Sequence, residues 1–270
     1  MQSRRYIPDG TRVSVLTSLV LLAFALTYVI NTPFTLVSIP LAGKTYQFTL
    51  PLNTGITILT AILAAAGVDW LLRGHPSIEP GETAEHWMLP MLTVLIVGVT
   101  LSTLPRGIVW WLGFGLCAGL LVLVFLAEYV VVDPSDVRYP LATAALTALA
   151  YALALILAVA LRTADVSLLI LAPSLFLGQS LAALRTLHLR LNERWDFGWA
   201  VGIGLIGMQL GSALRFWPLS PVRFGLILLG PLYALTTLAV SLSEGRPFRR
   251  AMVEPLVILF MVWGLVFLFR

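Results

Sequence analysis

The sequence predicts an all-α polytopic membrane protein of about nine transmembrane helices, with a short β-hairpin in the first extracytoplasmic loop. Three observations carry that expectation. Of 270 residues, 59% are hydrophobic and only 11% are charged, against about 25% charged in an ordinary soluble domain. Mean hydropathy is +0.94. The apolar residues also gather into runs long enough to cross a hydrocarbon core of about 30 Å, which takes roughly 20 residues each. With 17 basic and 13 acidic side chains, the chain cannot cover a water-soluble globule of this size. A soluble enzyme, a nucleic-acid-binding domain and a disordered chain are excluded on that ground. The formal charge of +4 reads as a topology signal rather than as the mark of a nucleic-acid partner.

The runs are 12–31, 52–72, 87–104, 108–131, 140–161, 166–184, 197–216, 222–242 and 253–269, forming one integral membrane domain over 1–270. Pro33 and Pro51 bracket the first loop, and Pro76, Pro80 and Gly81 punctuate the second. Pro105-Arg106-Gly107 divides 87–131 into two helices, because one straight helix of that length would far exceed a membrane. Asp133-Pro134-Ser135-Asp136 and Pro218-Leu219-Ser220-Pro221 mark further turns. In the first loop, Thr45-Tyr46-Gln47-Phe48-Thr49-Leu50 alternates polar and apolar after Ala42-Gly43-Lys44. That alternation predicts the hairpin, lying over the outer mouth of the bundle as a connector or a lid.

Orientation follows from basic residues in short loops. With the amino terminus inside, 11 basic residues fall on the inner side and 6 on the outer, and every cluster of three is inner. Most tryptophans, Trp70, Trp87 and Trp217 among them, sit near span ends where an indole favours the headgroup zone. The first run is an uncleaved helix rather than a removed signal. Sixteen arginines against the single Lys44, with abundant Ala and Leu, suggest a GC-rich bacterial genome and hence the bacterial cytoplasmic membrane.

Within lipid, helices associate through close approach of small side chains. Ala200, Gly204, Gly207 and Gly211 form one face of the seventh run. Gly115 and Gly119 form a GxxxG in the fourth, and Ala144, Ala148 and Ala152 a stripe in the fifth. These faces are expected to specify internal packing mainly, with contact to a partner membrane subunit as the alternative. Intramembrane polar groups are the default candidates for function. They are Gln179 in the sixth run, Gln209 in the seventh and Asp69 near the end of the second, where Arg73 is one turn away. The two glutamines could meet across neighbouring helices, as packing glue or as the floor of a polar cavity. Glu128, Asp165, Arg215 and Glu254 are expected to reach water at span ends.

No metal or cofactor is expected. Cys117 stands alone, no histidine lies in a span core, Lys44 is in a loop, and no phosphate loop or nucleophile elbow is present. Glu79, Glu82 and Glu85 with His75 and His86 read as a solvated inner loop. The clearest positive signal is cationic. Arg185, Arg190 and Arg194 lie on an amphipathic extension of the sixth helix, expected along the interface, and Arg246, Arg249 and Arg250 lie in the eighth-to-ninth connection. Together they are candidates for binding lipid phosphate, either through general attraction of anionic lipid, about 1 kcal/mol per basic residue, or through bidentate capture.

Three functions remain open. The leading expectation is a non-catalytic membrane subunit, assembly factor or lipid-organising protein. A permease for a small or lipidic solute would use Gln179, Gln209 and the glycine-rich seventh helix. A lipid-phosphate enzyme would use the inner arginines with Glu82, Glu85 and His86.

Overall fold

The computed structural model describes residues 8–29, 35–41, 44–50, 52–78, 83–191 and 194–268. The long elements are helical: α1 (Gly10–Val29), α2 (Leu52–Leu72), α3 (Met88–Thr103), α4 (Ile108–Val131), α5 (Tyr139–Thr163), α6 (Leu168–Arg190), α7 (Phe197–Leu214), α8 (Pro221–Ser243), the short α9 (Phe248–Ala251) and α10 (Val253–Leu268). Among the described residues, seven helices are long and apolar enough to cross a membrane. The other two matching predicted spans, α3 and α10, have 16 residues each, about 24 Å of helix. Between α1 and α2, β1 (Thr35–Leu41) and β2 (Lys44–Leu50) pair antiparallel with Val37 opposite Phe48. Residues 42 and 43, where the sequence puts the turn between them, lie outside the described residues. Glu79 and Glu82 lie outside them as well.

The chain divides into two compact units, one from Tyr6 to Val132 and one from Asp133 to Arg270. In the first, α1, α2, α3 and α4 pack around a core that includes Val20, Phe24, Val68, Leu121 and Phe125. Small residues set the separations. A Cβ on Gly67 would lie 2.0 Å from Leu16 Cδ1, and one on Gly98 would lie 2.3 Å from Thr57 Cγ2. The α3–α4 turn depends on Gly107, whose φ of 135° side chains rarely adopt. The break at Pro105–Gly107 therefore makes two helices of 87–131, as the punctuation implied.

The second unit packs α6 against α7, α5 against α6 and α8, and α10 against α8. Helix ends are capped within it. Asp196 accepts from the Trp199 amide at the start of α7, and Ser220 from the Arg223 amide at the start of α8, with Pro221 in the first turn. The Arg162 guanidinium donates to the carbonyls of Arg215 (2.9 Å) and Trp217 (3.0 Å), serving the carbonyl end of α7. Before α5, Asp136 holds Arg138 through two-point hydrogen bonding, which raises the guanidinium pKa above its ordinary value.

One proline within a helix is answered by a distant residue. Pro231, inside α8, has no N–H to give the Ile227 carbonyl four residues back. The Trp263 indole of α10 donates to that carbonyl at 3.2 Å, and Gly230 lets the ring approach (its Cβ would stand 3.3 Å from Trp263 Nε1). Trp263 lies well within the run 253–269, away from the headgroup zone, and this bond gives its indole a partner there. Trp263→Phe should lower stability by about 1 kcal/mol through the lost bond, and much less in a Pro231→Ala background, where the helix supplies its own donor. Equal losses in both backgrounds, measured by thermal unfolding in detergent, would reject the assignment.

Candidate functional site

The α6–α7 seam is built from the small-residue face that the sequence marked on α7. Ala200, Gly204, Gly207 and Gly211 are all buried. Gln179 is 3% exposed and lies directly over Gly207, where a Cβ would stand 1.7 Å from its Oε1. Leu175 fills the space beside Gly211 in the same way, at 2.3 Å. At Gly204 the neighbours include the Phe176 carbonyl oxygen, 2.8 Å from where a Cβ would stand, so backbone meets backbone there. Gln209 is exposed, two residues on from Gly207 and hence on another side of the helix. The structure does not bring the two glutamines together.

The other small faces behave differently. Gly115 and Gly119 are exposed and a Cβ on either would meet nothing within 4 Å. Ala144, Ala148 and Ala152 are exposed as well. Internal packing therefore uses the α7 face and leaves these two open, against the expectation that all three would be filled within the chain.

Five of the six arginines are exposed and stand at or beyond the places where α6 and α8 finish. The carboxy-terminal ends of these helices meet through Leu187, Ala239 and Val240, joined by Leu191 and by Trp199 of α7. Exposed at and beyond these ends are Arg194, Arg246, Arg249 and Arg250. Arg246 pairs with Glu244 at 2.9 Å. Arg190 is also exposed, but its guanidinium reaches back to Thr237 Oγ1 at 3.4 Å. Arg185 is the exception. It is 1% exposed, because α6 continues unbroken to Arg190 and residues 182–189 are buried on every side. The segment is thus a packed helix end rather than an amphipathic extension along the interface. His188, also buried, stacks on Trp195 with ring centroids 4.2 Å apart.

In the first unit the charged groups cluster where α2 and α4 finish. Asp69 pairs with Arg73 at 2.6 Å, as the one-turn spacing suggested, and also accepts from Thr83 Oγ1. His86 is 3% exposed and Glu128 0%. His86 Nδ1 meets Glu128 Oε2 at 2.7 Å, while its Nε2 lies 3.4 Å from Glu85. His75, 4% exposed, packs edge-on against Tyr129. The loop histidines are therefore not solvated, and Glu128 does not snorkel. A buried carboxylate needs a hydrogen-bonded partner, and His86 supplies one. Sequence reasoning missed this pair because 42 residues separate its members. Among the described residues, no group of three His, Cys, Asp or Glu side chains is arranged to hold a metal ion.

Seven apolar helices of spanning length define a multi-pass membrane protein. The chain belongs to the family described as Protein of unknown function (DUF5656), whose model matches residues 31–269. No curated protein and no solved structure matches it.

The seam makes a sharp comparison possible within one helix. Gly204→Ala should destabilise the protein by about 1–3 kcal/mol through overpacking against a backbone oxygen. Gly202→Ala, with nothing within 4 Å of its Cβ, should be neutral or slightly stabilising. Indistinguishable melting temperatures for the two variants would contradict the close approach of α6 and α7.

Proposed function

We propose that this chain is a non-catalytic protein of the bacterial cytoplasmic membrane that gathers anionic lipids at its inner surface. In this reading nine helices cross the bilayer with the amino terminus in the cytoplasm, and the strand pair lies in the first outer loop. The 16-residue α3 and α10 reach across through local thinning and their flanking residues. The observation that carries the reading is the group of exposed arginines, Arg194, Arg246, Arg249 and Arg250, on helix ends that pack together. Guanidinium groups at headgroup depth attract lipid phosphates and can bind them bidentately.

The permease reading has less support, since Gln179 is sealed against Gly207 while Gln209 is exposed. The enzyme reading has less as well, because His86 is buried and engaged with Glu128 and Glu85. A second reading, a subunit of a larger membrane assembly, is favoured by the open GxxxG face of Gly115 and Gly119.

Replacing Arg194, Arg249 and Arg250 together by Gln should reduce the anionic lipid that co-purifies in mild detergent, read by native mass spectrometry, by tenfold or more, since about 1 kcal/mol is lost per residue. Retention equal to wild type would reject the lipid-gathering role. For the second reading, Gly119→Leu should abolish any complex seen on native gels from the source membrane while leaving the melting temperature of the isolated chain unchanged. A complex that survives the substitution would remove the GxxxG face as its interface.

A further inference from the structure

Helix α7 carries small residues on two sides. The buried side, Ala200, Gly204, Gly207 and Gly211, packs on α6. On the opposite side, at intervals of about one turn, stand Gly198, Gly202, Ile206, Gln209 and Ala213. Gly202 is half-buried and the other four are exposed. A Cβ on Gly202 would meet nothing within 4 Å. We propose that this second face is the contact between two copies of the chain, α7 against α7, with the two Gln209 side chains hydrogen-bonded to each other.

An amide in hydrocarbon needs a hydrogen-bond partner that lipid does not supply. α7 runs from Phe197 to Leu214. At 1.5 Å per residue, Gln209 lies about 5 Å along the axis from the midpoint of the helix and about 9 Å short of Arg215. Its side chain is too short to carry the amide to the headgroups. Thr93 and Thr100 of α3 meet the same need by returning their hydroxyl hydrogens to carbonyls one turn back, those of Leu89 and Ile96. Among the described residues, Gln209 makes no side-chain hydrogen bond, and its side chain is exposed rather than enclosed. An exposed amide at this depth marks a surface that another helix covers.

A second copy meets that need with no further residue. Both copies thread the bilayer in the same sense, so a twofold axis along the membrane normal sets their α7 helices parallel. Each residue of the face then meets its own counterpart at the same depth. A glutamine amide carries donor hydrogens and an acceptor oxygen. Two of them related by the axis exchange reciprocal hydrogen bonds, each N–H donating to the other's carbonyl oxygen. A charged side chain there would repel its own copy, whereas an amide pairs with it. Gly198 and Gly202 form an open GxxxG two turns before Gln209, and Ala213 stands one turn beyond it. Small residues on both sides of the amide let the backbones come close enough for it to bridge. The contact is independent of the exposed arginines and of the Gly115 and Gly119 face of α4.

The full chain, labelled at its amino terminus with donor or acceptor dye, would be reconstituted into phosphatidylcholine vesicles over a range of protein-to-lipid ratios. Energy transfer should rise to a plateau as dimers form. Gln209→Leu, a change on an exposed residue, should leave the melting temperature in place and move the midpoint to about tenfold higher protein density. Gln209→Asn, which retains a self-pairing amide, should stay nearer to wild type. In a Cys117→Ala background, Ile206→Cys and Ala213→Cys should each give a disulfide-linked dimer under mild oxidation. Energy transfer no greater than random mixing at every density, or an unmoved midpoint in Gln209→Leu, would overturn the proposal. Cross-linking through Leu116→Cys on the exposed side of α4, with none at positions 206 and 213, would overturn it as well, because another face would then make the contact.

Discussion

Helices in hydrocarbon gain nothing by exchanging lipid for another apolar surface, so their association rests on how closely their backbones can approach. In this protein that constraint is met most directly where α6 crosses α7. Removing side chains at Gly204, Gly207 and Gly211 lets Ser180, Gln179 and Leu175 lie in the space a Cβ would take. The close approach also disposes of an intramembrane amide. Gln179 is held against a glycine rather than against lipid, which makes a polar residue tolerable at that depth. The same device recurs at Gly67 against Leu16 and at Gly98 against Thr57.

The second constraint is that every backbone polar group in a membrane must find a partner inside the protein. The pairing of Pro231 with Trp263 follows from it, since a proline in α8 leaves the Ile227 carbonyl without its usual donor. Arg162 meets the same need at the carbonyl end of α7. Buried charge obeys a related rule. Glu128 and His86 are each almost fully enclosed and lie 2.7 Å apart, whereas Arg73, on the exposed side of its pair with Asp69, spends most of its surface in solvent. Polar chemistry is thus concentrated at helix ends: a cluster where α2 and α4 finish, and arginines where α6 and α8 finish.

The positions of the helices were legible from the residues alone. The runs at 52–72 and 108–131 coincide with α2 and α4, and Pro105 with Gly107 marks the break between α3 and α4. Arg73 beside Asp69 was legible for the same reason, a spacing of one turn. The extent of α6 was not. Basic residues after 184 suggested a helix turning onto the interface, yet packing encloses Arg185 and His188 and carries the helix on to Arg190.

Hydropathy, proline and glycine act on the chain through its nearest neighbours, and that is why the sequence by itself determined a multi-pass helical protein, the break between α3 and α4 and the small-residue face of α7. Only the tertiary structure decided which small faces are filled and which stay open, that His86 meets Glu128, and that Gln209 stands apart from Gln179. Those outcomes depend on the rotation of each helix about its axis and on pairings between residues far apart along the chain. A local pattern shows that a face exists; it carries no information about what stands opposite.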